Sequence, residues 1–230
     1  MIIGNGREIV VAGQSCMADT SGALYLAGSR TLIVSDLHLE KGSSFARRGM
    51  LIPPYDTVAT LMHLKRVITH FEPTRVIALG DSFHDRQAAE RLSEHNRETI
   101  EELQDKREWI WVTGNHDPAA PYGLAGEVCD EIRIGALVLR HEPQAGASLG
   151  EIAGHLHPVA RVVTARGSLR RRCFVSDGTR CILPAFGAYA GGLNLRDEAF
   201  GALFPDAPPT AHVLGRDRIY SVGQDSCFAD

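Results

Sequence analysis

Residues 75–81 read RVIALGD, an apolar run that ends in glycine and aspartate. Helical patterns flank this run. Before it, apolar residues recur every three or four positions over residues 58–71, as on one face of an amphipathic helix. After it, GDSFHDRQ opens a more polar pattern that predicts a second helix running to about Lys106. This order, continued by the apolar strand WIWVTG, predicts a βαβ crossover and a parallel sheet segment.

The rest of the chain divides into two parts around this sheet. Upstream, EIVVAG, ALYLAG and TLIVS are typical of short strands, and a long polar loop then ends at a helix cap on Asp56 or Thr57. Downstream of about residue 130, short β-like segments alternate with turns. A mixed part followed by a β-rich part predicts an α/β (α+β) fold with two sheets packed face to face between helices. No linker or repeat interrupts residues 1–230, which are predicted to form a single domain.

Composition argues against a strongly basic protein, a disulfide-rich protein and a membrane-spanning protein. The chain has 230 residues and a formal net charge of −4, so a nucleic acid would have to bind through a local basic patch or bound metal ions. Five scattered cysteines without a C-x-x-C pair favour reduced thiols over a disulfide framework or a cysteine-ligated zinc site. We find neither a signal peptide nor an apolar run of about 20 residues, which predicts a cytoplasmic protein without a membrane span.

Five apolar strands end in side chains that bind metal ions well. Carboxylate, amide or imidazole groups follow TLIVS, RVIALG, WIWVTG, ALVLR and GEIAG in turn. Because the carboxyl ends of strands in α/β sheets are where ligand sites collect, these side chains are predicted to meet. In GEIAGHLHP, residues 150–158, the i, i+2 spacing of His155 and His157 places both imidazoles on one side if the chain is still extended there.

The ordered fragments DLH, GD, GNHD, RHE and GHLH span residues 36–157 and together resemble the calcineurin-like metallophosphoesterase family. The resemblance implies a four-layer αββα sandwich of two mixed β-sheets, with a site for two metal ions between the sheet ends. His116 would contact the substrate phosphate and assist the leaving oxygen without binding metal. The implied metal ligands are Asp36, His38, Asp81, Asn115, His141, His155 and His157.

The resemblance also divides these ligands between the two ions. The first ion would take Asp36, His38 and His157, the second would take Asn115, His141 and His155, and Asp81 would bridge both. Two divalent ions outweigh the charge of two carboxylates, so the site would attract a phosphate ester and acidify bound water toward neutral pH. Mixed imidazole and oxygen ligands favour Mn²⁺, Fe or Zn²⁺ over Mg²⁺, and the resemblance points to Mn²⁺.

A wider set of fragments narrows the substrate. DLHLEKGSSFARRG, ALGDSFHD, GEIAGHLHPVARV and LPAFGAYAGGLN are similar to the DNA ligase-associated metallophosphoesterase subfamily, over about residues 32–194. This implies a DNA damage response endonuclease that acts in DNA repair with an ATP-dependent DNA ligase, a helicase and an exonuclease. A short, open site would reach single-stranded or looped DNA more readily than duplex. The alternatives are a phosphoesterase of nucleotides or other small phosphoesters, and a scaffold with a decayed site, which the complete ligand set disfavours.

Residues outside the ligand set are candidates for substrate binding. Residues 161–180 contain six arginines against one acid, Asp177, which predicts a basic patch for DNA phosphates; the alternative is a solvated hairpin face. FGAYAGG, residues 186–192, could stack an unpaired base or pack as a glycine-rich turn. The predicted substrate-binding residues are His84, Arg140, Arg170, Arg171 and Arg172.

Overall fold

The structure, a computed structural model, describes residues 5–146, 148–165 and 167–230. Within these residues the strands form two mixed sheets that pack face to face, and helices cover their outer faces. The predicted four-layer α/β sandwich is therefore confirmed. That the whole chain is one domain stays a prediction.

The first sheet joins an antiparallel half to a parallel half. Strands β1 to β4 pair antiparallel in sequence order, and β4 to β7 pair parallel through crossover connections. The crossovers place the carboxyl ends of β4, β5 and β6 at one edge, as the βαβ pattern predicts. The strands of this sheet are β1 (Arg7–Val11), β2 (Gln14–Ala18), β3 (Leu24–Leu26), β4 (Thr31–Val34), β5 (Arg75–Leu79), β6 (Glu108–Val112) and β7 (Glu127–Cys129).

The second sheet is built from the downstream part of the chain in the order β15-β14-β12-β13-β10-β9-β8, and β11 pairs with β12 beside it. Its parallel pairs are β9 with β10 and β10 with β13. Its strands are β8 (Glu131–Ile134), β9 (Leu137–Arg140), β10 (Glu151–Ala153), β11 (Val159–Thr164), β12 (Gly167–Ser176), β13 (Arg180–Ile182), β14 (Thr210–Leu214) and β15 (Ile219–Gly223).

The helices of the described chain lie outside the sheets. They are α1 (Lys41–Arg47), α2 (Asp56–Phe71), α3 (Glu94–Gln104) and α4 (Glu198–Leu203), with short 3₁₀ turns at Ala27–Ser29, Ala88–Arg91 and Gln224–Ser226. The apolar face of α2 and that of α3 bury against the first sheet, whereas α4 packs on the second. In the described parts of the chain, no helix is both long enough and apolar enough to cross a bilayer.

Strand β5 explains why RVIALGD is apolar throughout. Val76 and Ala78 face the cluster under the helices, and Ile77 and Leu79 face the cluster between the two sheets. Successive side chains of a strand point to opposite faces, and all four are fully buried because both faces of β5 are covered. The strand ends at Leu79, and the chain then turns at Gly80 and Asp81, which both have positive φ.

Several local predictions differ from the structure. The N-cap of α2 is Tyr55 rather than Asp56 or Thr57. The polar loop after β4 contains the short helix α1, and strand β2 was not predicted. The second helix begins at Glu94 rather than near Asp81, because Ser93 is its N-cap and accepts a hydrogen bond from the backbone N–H of Asn96. The segment between β5 and α3 is therefore free to carry site residues.

Candidate metal centre

The predicted metal ligands lie together at the carboxyl ends of β4, β5, β6, β9 and β10. These ends belong to both sheets, so residues from distant parts of the sequence meet at one edge of the sandwich. They form two groups of convergent ligand atoms. The first contains Asp36, His38 and His157, and the second contains Asp81, His141 and His155.

The first group has its ligand atoms at metal-binding separations. His157 Nε2 lies 3.1 Å from Asp36 Oδ1 and 3.2 Å from His38 Nε2. Atoms that share a metal at about 2.0–2.2 Å, as His nitrogen and carboxylate oxygen share zinc, lie about 3 Å from one another. Asp36 and His38 are buried and His157 is partly buried, so the group lies at the bottom of the site.

The second group includes the amide predicted from GNHD. Asn115 Oδ1 lies 3.0 Å from both His141 Nε2 and His155 Nδ1, which are themselves 3.2 Å apart. Asp81 Oδ2 lies 3.4 Å from His141 Nε2 and 4.0 Å from His38 Nε2, so it stands between the groups. This is the position that a carboxylate shared by two ions requires.

Neighbouring backbone groups fix the free atoms of these ligands. The N–H of His116 donates to Asp81 Oδ1 at 2.9 Å, which leaves Oδ2 facing the site. His141 Nδ1 lies 3.2 Å from the carbonyl oxygen of Leu79, a distance at which it donates and leaves the Nε2 lone pair free. Three acceptor atoms then converge around His141 Nε2, and one proton cannot satisfy them all. The residues therefore fit divalent metal ions.

The electrostatics of the site favour added positive charge. Burial opposes ionisation of Asp81, but hydrogen bonding and charge from His141 outweigh it and lower the pKa of Asp81 to about 2. Burial would likewise lower the pKa of His141, yet Asp81 and Asp36 raise it to about 9. The carboxylates thus hold a cation between them. A metal ion would replace that proton, since His must be deprotonated to bind metal.

The ligand-bearing loops turn through the left-handed region of backbone space. Asp36, His38, Asp81, His155 and His157 all have positive φ, between 45° and 67°. Such residues cost of order 1–3 kcal/mol each and persist where the surrounding structure holds them. The chain is therefore not extended at GHLH, so the condition for the i, i+2 argument is not met: β10 ends at Ala153, and a loop brings both imidazoles into the site.

The glycines of the sequence fragments have a steric role. A Cβ on Gly114, before Asn115, would overlap the backbone N and the carboxylate of Asp81. A Cβ on Gly154 would overlap Ser35 Oγ and the Asp36 carboxylate. Because the strand ends approach this closely, only glycine lets the loops of the two sheets converge on the ligands.

His116 and His84 form a pair beside the first ligand group. His116 Nδ1 lies 2.8 Å from the carbonyl oxygen of His84, which fixes the ring and leaves Nε2 3.8 Å from Asp81 Oδ2. The His84 ring stacks on that of His116, with centroids 5.3 Å apart, and lies 5.5 Å from that of His38. Burial and the charge of Lys41 lower the pKa of His84 to about 4. The structure thus brings both predicted histidines to the site.

Arg140 lies beside the second group, with its guanidinium already paired. Its Nη2 lies 2.8 Å from Glu131 Oε2, and the side chain is mostly buried. It lines a cavity with Asn115 and His141. The predicted contact of Arg140 with substrate phosphate stays a prediction.

The described arginines of the predicted basic patch already have partners within the chain. Arg170 pairs with Asp230 and donates to the carbonyl of Gly192, whereas Arg172 donates to the carbonyls of Ala185 and Phe186. Arg171 lies between them on β12, so its side chain points to the opposite face. Arg180 is completely buried, and Arg166 lies outside the described residues. The role of Arg170, Arg171 and Arg172 in DNA binding stays a prediction.

Two buried polar residues near the ligands were not predicted as part of the site. Ser35 Oγ donates to Asp36 Oδ2 and lies 3.1 Å from the carbonyl oxygen of Leu79. Asp117 accepts from the N–H of Phe83, and burial together with the charge of Asp81 raises the pKa of Asp117 to about 7. Asp117 is the last residue of the fragment GNHD, so the sequence could have indicated it as a site residue. Nothing in the sequence indicated Ser35, because serine at a strand end is common.

The chain is similar to a known protein family and to solved structures. Residues 29–174 match the family model described as calcineurin-like phosphoesterase. Pseudomonas putida nuclease MPE has a similar solved structure, with a TM-score of 0.72 and 28% identity over 95% of this chain and 100% of that chain. The structure of Yfce, a phosphoesterase from E. coli, gives a TM-score of 0.42 and 14% identity over 84% of this chain and 97% of that chain.

No curated protein matches the sequence significantly. The family match nevertheless covers more than half of the chain and includes every predicted metal ligand. Metallophosphoesterases use a dinuclear metal centre, and the two ligand groups fit one. The chain therefore belongs to the calcineurin-like phosphoesterase family and is a phosphoester hydrolase.

Proposed function

We propose that this hydrolase is a manganese-dependent DNA endonuclease that cleaves phosphodiester bonds in single-stranded or looped DNA. The observation that carries the proposal is the likeness to Pseudomonas putida nuclease MPE over nearly the full length of both chains. The two ligand groups supply the site where such a reaction would take place. When bound, two divalent ions would supply positive charge for the phosphate and acidify a bound water toward neutral pH.

His116 is suited to handle the proton of the leaving group. Its Nδ1 is held against the carbonyl of His84, so Nε2 faces the site beside Asp81. When Nε2 carries a proton, it can donate that proton to the departing oxygen. The side chain is 39% exposed, so a substrate can reach it without movement of the fold.

The types of ligand atom support manganese as the metal. Their position supports single-stranded or looped DNA as the substrate. Imidazole nitrogens mixed with carboxylate and amide oxygens suit Mn²⁺ better than Mg²⁺, which prefers oxygen and water. The ligands lie on loops at the edge of the sandwich rather than in a closed cavity. A flexible strand can bend into such a site, whereas a regular duplex presents its phosphates on a smooth cylinder.

The cellular role is part of the same proposal. We infer action in DNA repair in the cytoplasm, together with an ATP-dependent DNA ligase, a helicase and an exonuclease, from the similarity of its sequence to the ligase-associated subfamily. Cysteines of the described chain are free thiols, as a reducing compartment requires. Products that an ATP-dependent DNA ligase can seal must carry a 5′-phosphate and a 3′-hydroxyl.

The test is a cleavage assay with purified protein. We expect Mn²⁺ to support cleavage of single-stranded and hairpin DNA more than duplex DNA or a cyclic nucleotide. His116→Ala should keep its metal content but lower kcat by roughly 10²–10⁴-fold, because it removes an acid and no ligand. Metal content is measured by mass spectrometry.

His95→Ala is the matched control, because His95 is exposed on α3. It should retain both metal and turnover. Cleavage of the cyclic nucleotide without cleavage of any DNA would overturn the nuclease assignment in favour of a small-phosphoester substrate. Normal turnover by His116→Ala would remove His116 from the reaction.

A further inference from the structure

A cavity of about 500 Å³, lined by several charged side chains, opens beside the metal centre. One wall is the carboxyl-terminal end of α1, and the other is the segment that follows His84. We call it the α1 cavity. Its lining residues are Ser44, Arg47, Arg48, Asp85, Arg86 and Gln87.

The α1 cavity carries uncompensated positive charge. Its one lining acid, Asp85, is held by Arg91 through two hydrogen bonds of 2.6 and 2.9 Å. Arg47 donates to the neutral amide oxygen of Gln87 at 2.8 Å. Arg48 and Arg86 are exposed, and neither makes an ion pair with a described residue. Three guanidinium groups therefore lie along the cavity, and its only carboxylate is already neutralised.

His84 lies between helix α1, which forms one wall of the α1 cavity, and the histidines of the metal site. His84 directly precedes Asp85, and its ring lies 5.6 Å from the ring of Phe45 on α1. On its other side the same ring contacts His116 and His38. An anion in the cavity would thus be the immediate neighbour of a phosphate at the metal centre.

Local helix stability does not account for this arrangement. Arg47 and Arg48 end α1, where a cation favourably meets the helix dipole. Arg86 lies on the opposite wall, outside any helix, and has no such reason to be there. Guanidinium groups from two separate segments converge on one space, as in sites that bind phosphate.

We infer that the α1 cavity binds the phosphate of a nucleotide neighbouring the cleaved bond in the same DNA strand. This inference rests on the proposed nuclease function and names a further contact of that site. It also explains how a protein with net negative charge could bind a polyanion: positive charge is concentrated beside the reaction centre. The strand would enter over α1 and reach the metal ligands past His84.

The test compares Arg48→Gln, Arg86→Gln and the double variant with the wild type. For a single-stranded oligonucleotide, the double variant should raise KM roughly tenfold with little change in kcat. The slope of log KM against log salt should fall by about 0.7, the value for one phosphate contact on a single strand. The KM for bis(p-nitrophenyl) phosphate, which has no neighbouring phosphate, should change far less.

Arg133→Gln is the matched control, because Arg133 is 70% exposed on β8, outside the α1 cavity. A second experiment replaces single phosphates of the oligonucleotide by neutral methylphosphonates. At one neighbouring position this should raise KM for the wild type, with no further effect in the double variant. An unchanged KM and salt slope in the double variant would overturn the inference, as would an effect confined to oligonucleotides with a 5′-terminal phosphate.

Binding measured by fluorescence anisotropy separates this inference from the nuclease proposal. Binding of the oligonucleotide that depends on Arg48 and Arg86, without any cleavage, would support the α1 cavity and overturn the nuclease function. Cleavage with the same KM in every variant would support the nuclease function and overturn the α1 cavity as a phosphate-binding site. Absence of both binding and cleavage would overturn both.

Discussion

The arginines of β12 and β13 and the arginines of the α1 cavity carry the same side chain but meet different partners. On β12 and β13, Arg170, Arg172 and Arg180 are bound by carboxylates or backbone carbonyls of their own chain. Around the α1 cavity, Arg48 and Arg86 make no ion pair with a described residue. The first region has the higher density of arginine in sequence, but most of its described guanidinium groups already have partners. Arg171 is the exception, with a hydrogen bond to the carbonyl of Arg170 and no ion pair to a described residue.

The difference shows that the number of arginines in a segment does not measure its capacity to bind an anion. Consecutive residues of a strand point to opposite faces, so a run such as RRR cannot present one surface. A cavity can instead collect guanidinium groups from separate segments. What remains for a ligand is the charge that the protein itself has not neutralised.

Arg180→Met should have the largest effect and should act on stability. Arg180 and Glu151 are both fully buried, and Arg180 Nη2 lies 3.4 Å from Glu151 Oε2. Removing the guanidinium leaves a buried carboxylate without its main partner, so the free energy of unfolding should fall by about 3–5 kcal/mol. Urea denaturation at neutral pH measures this loss.

The double variant Arg180→Met/Glu151→Gln provides the control, since it removes both charges. It should recover part of the lost stability. A loss below about 1 kcal/mol in the single variant would mean that this arginine is not structural and that the two regions are alike.

Asp85→Asn should have a smaller effect that depends on pH. The hydrogen bonds from Arg91 hold the pKa of Asp85 well below its usual value of about 3.9. The pair therefore contributes fully above that value, and its contribution is lost as the pH falls toward the folded-state pKa. The variant should be about 1 kcal/mol less stable at pH 7, and the difference should shrink below about pH 4.

The same variant should tighten DNA binding, because it removes the one acid of the α1 cavity. Asp85→Asn should therefore lower both the KM for the oligonucleotide and the stability, whereas Arg180→Met should lower the stability alone. An unfolding free energy whose difference from wild type stays constant between pH 3 and 7 would contradict the assigned ion pair.

Arg170→Gln should have the smallest effect. Arg170 and Asp230 are 44% and 49% exposed, so their pair is screened by water and contributes less than about 1 kcal/mol. Its KM for the oligonucleotide should rise less than that of Arg86→Gln. The opposite ranking would reverse the comparison and support the basic patch predicted from residues 161–180.

Much of the fold could be predicted because its signals are local. RVIALGD and its flanking helix patterns predict the parallel strands and helix α2, which begins at Asp56 directly after its N-cap Tyr55. Helix α1 was missed because seven residues with two serines and a glycine have weak helical propensity; Phe45, which contacts His84, is part of that helix. The start of α3 was misplaced because the polar segment after Asp81 has no periodic pattern that would distinguish loop from helix.

The sequence by itself determined the order of the apolar strands and which side chains follow each one, because an apolar run and the residues that follow it are adjacent in the sequence. It thereby determined the family and the candidate ligands. Only the tertiary structure decided how those ligands converge: Asp36, Asp81 and His157 turn through left-handed conformations that contacts between two sheets maintain. Only the tertiary structure decided which arginines are neutralised, because a side chain's partner lies far away in sequence, as Glu151 does for Arg180.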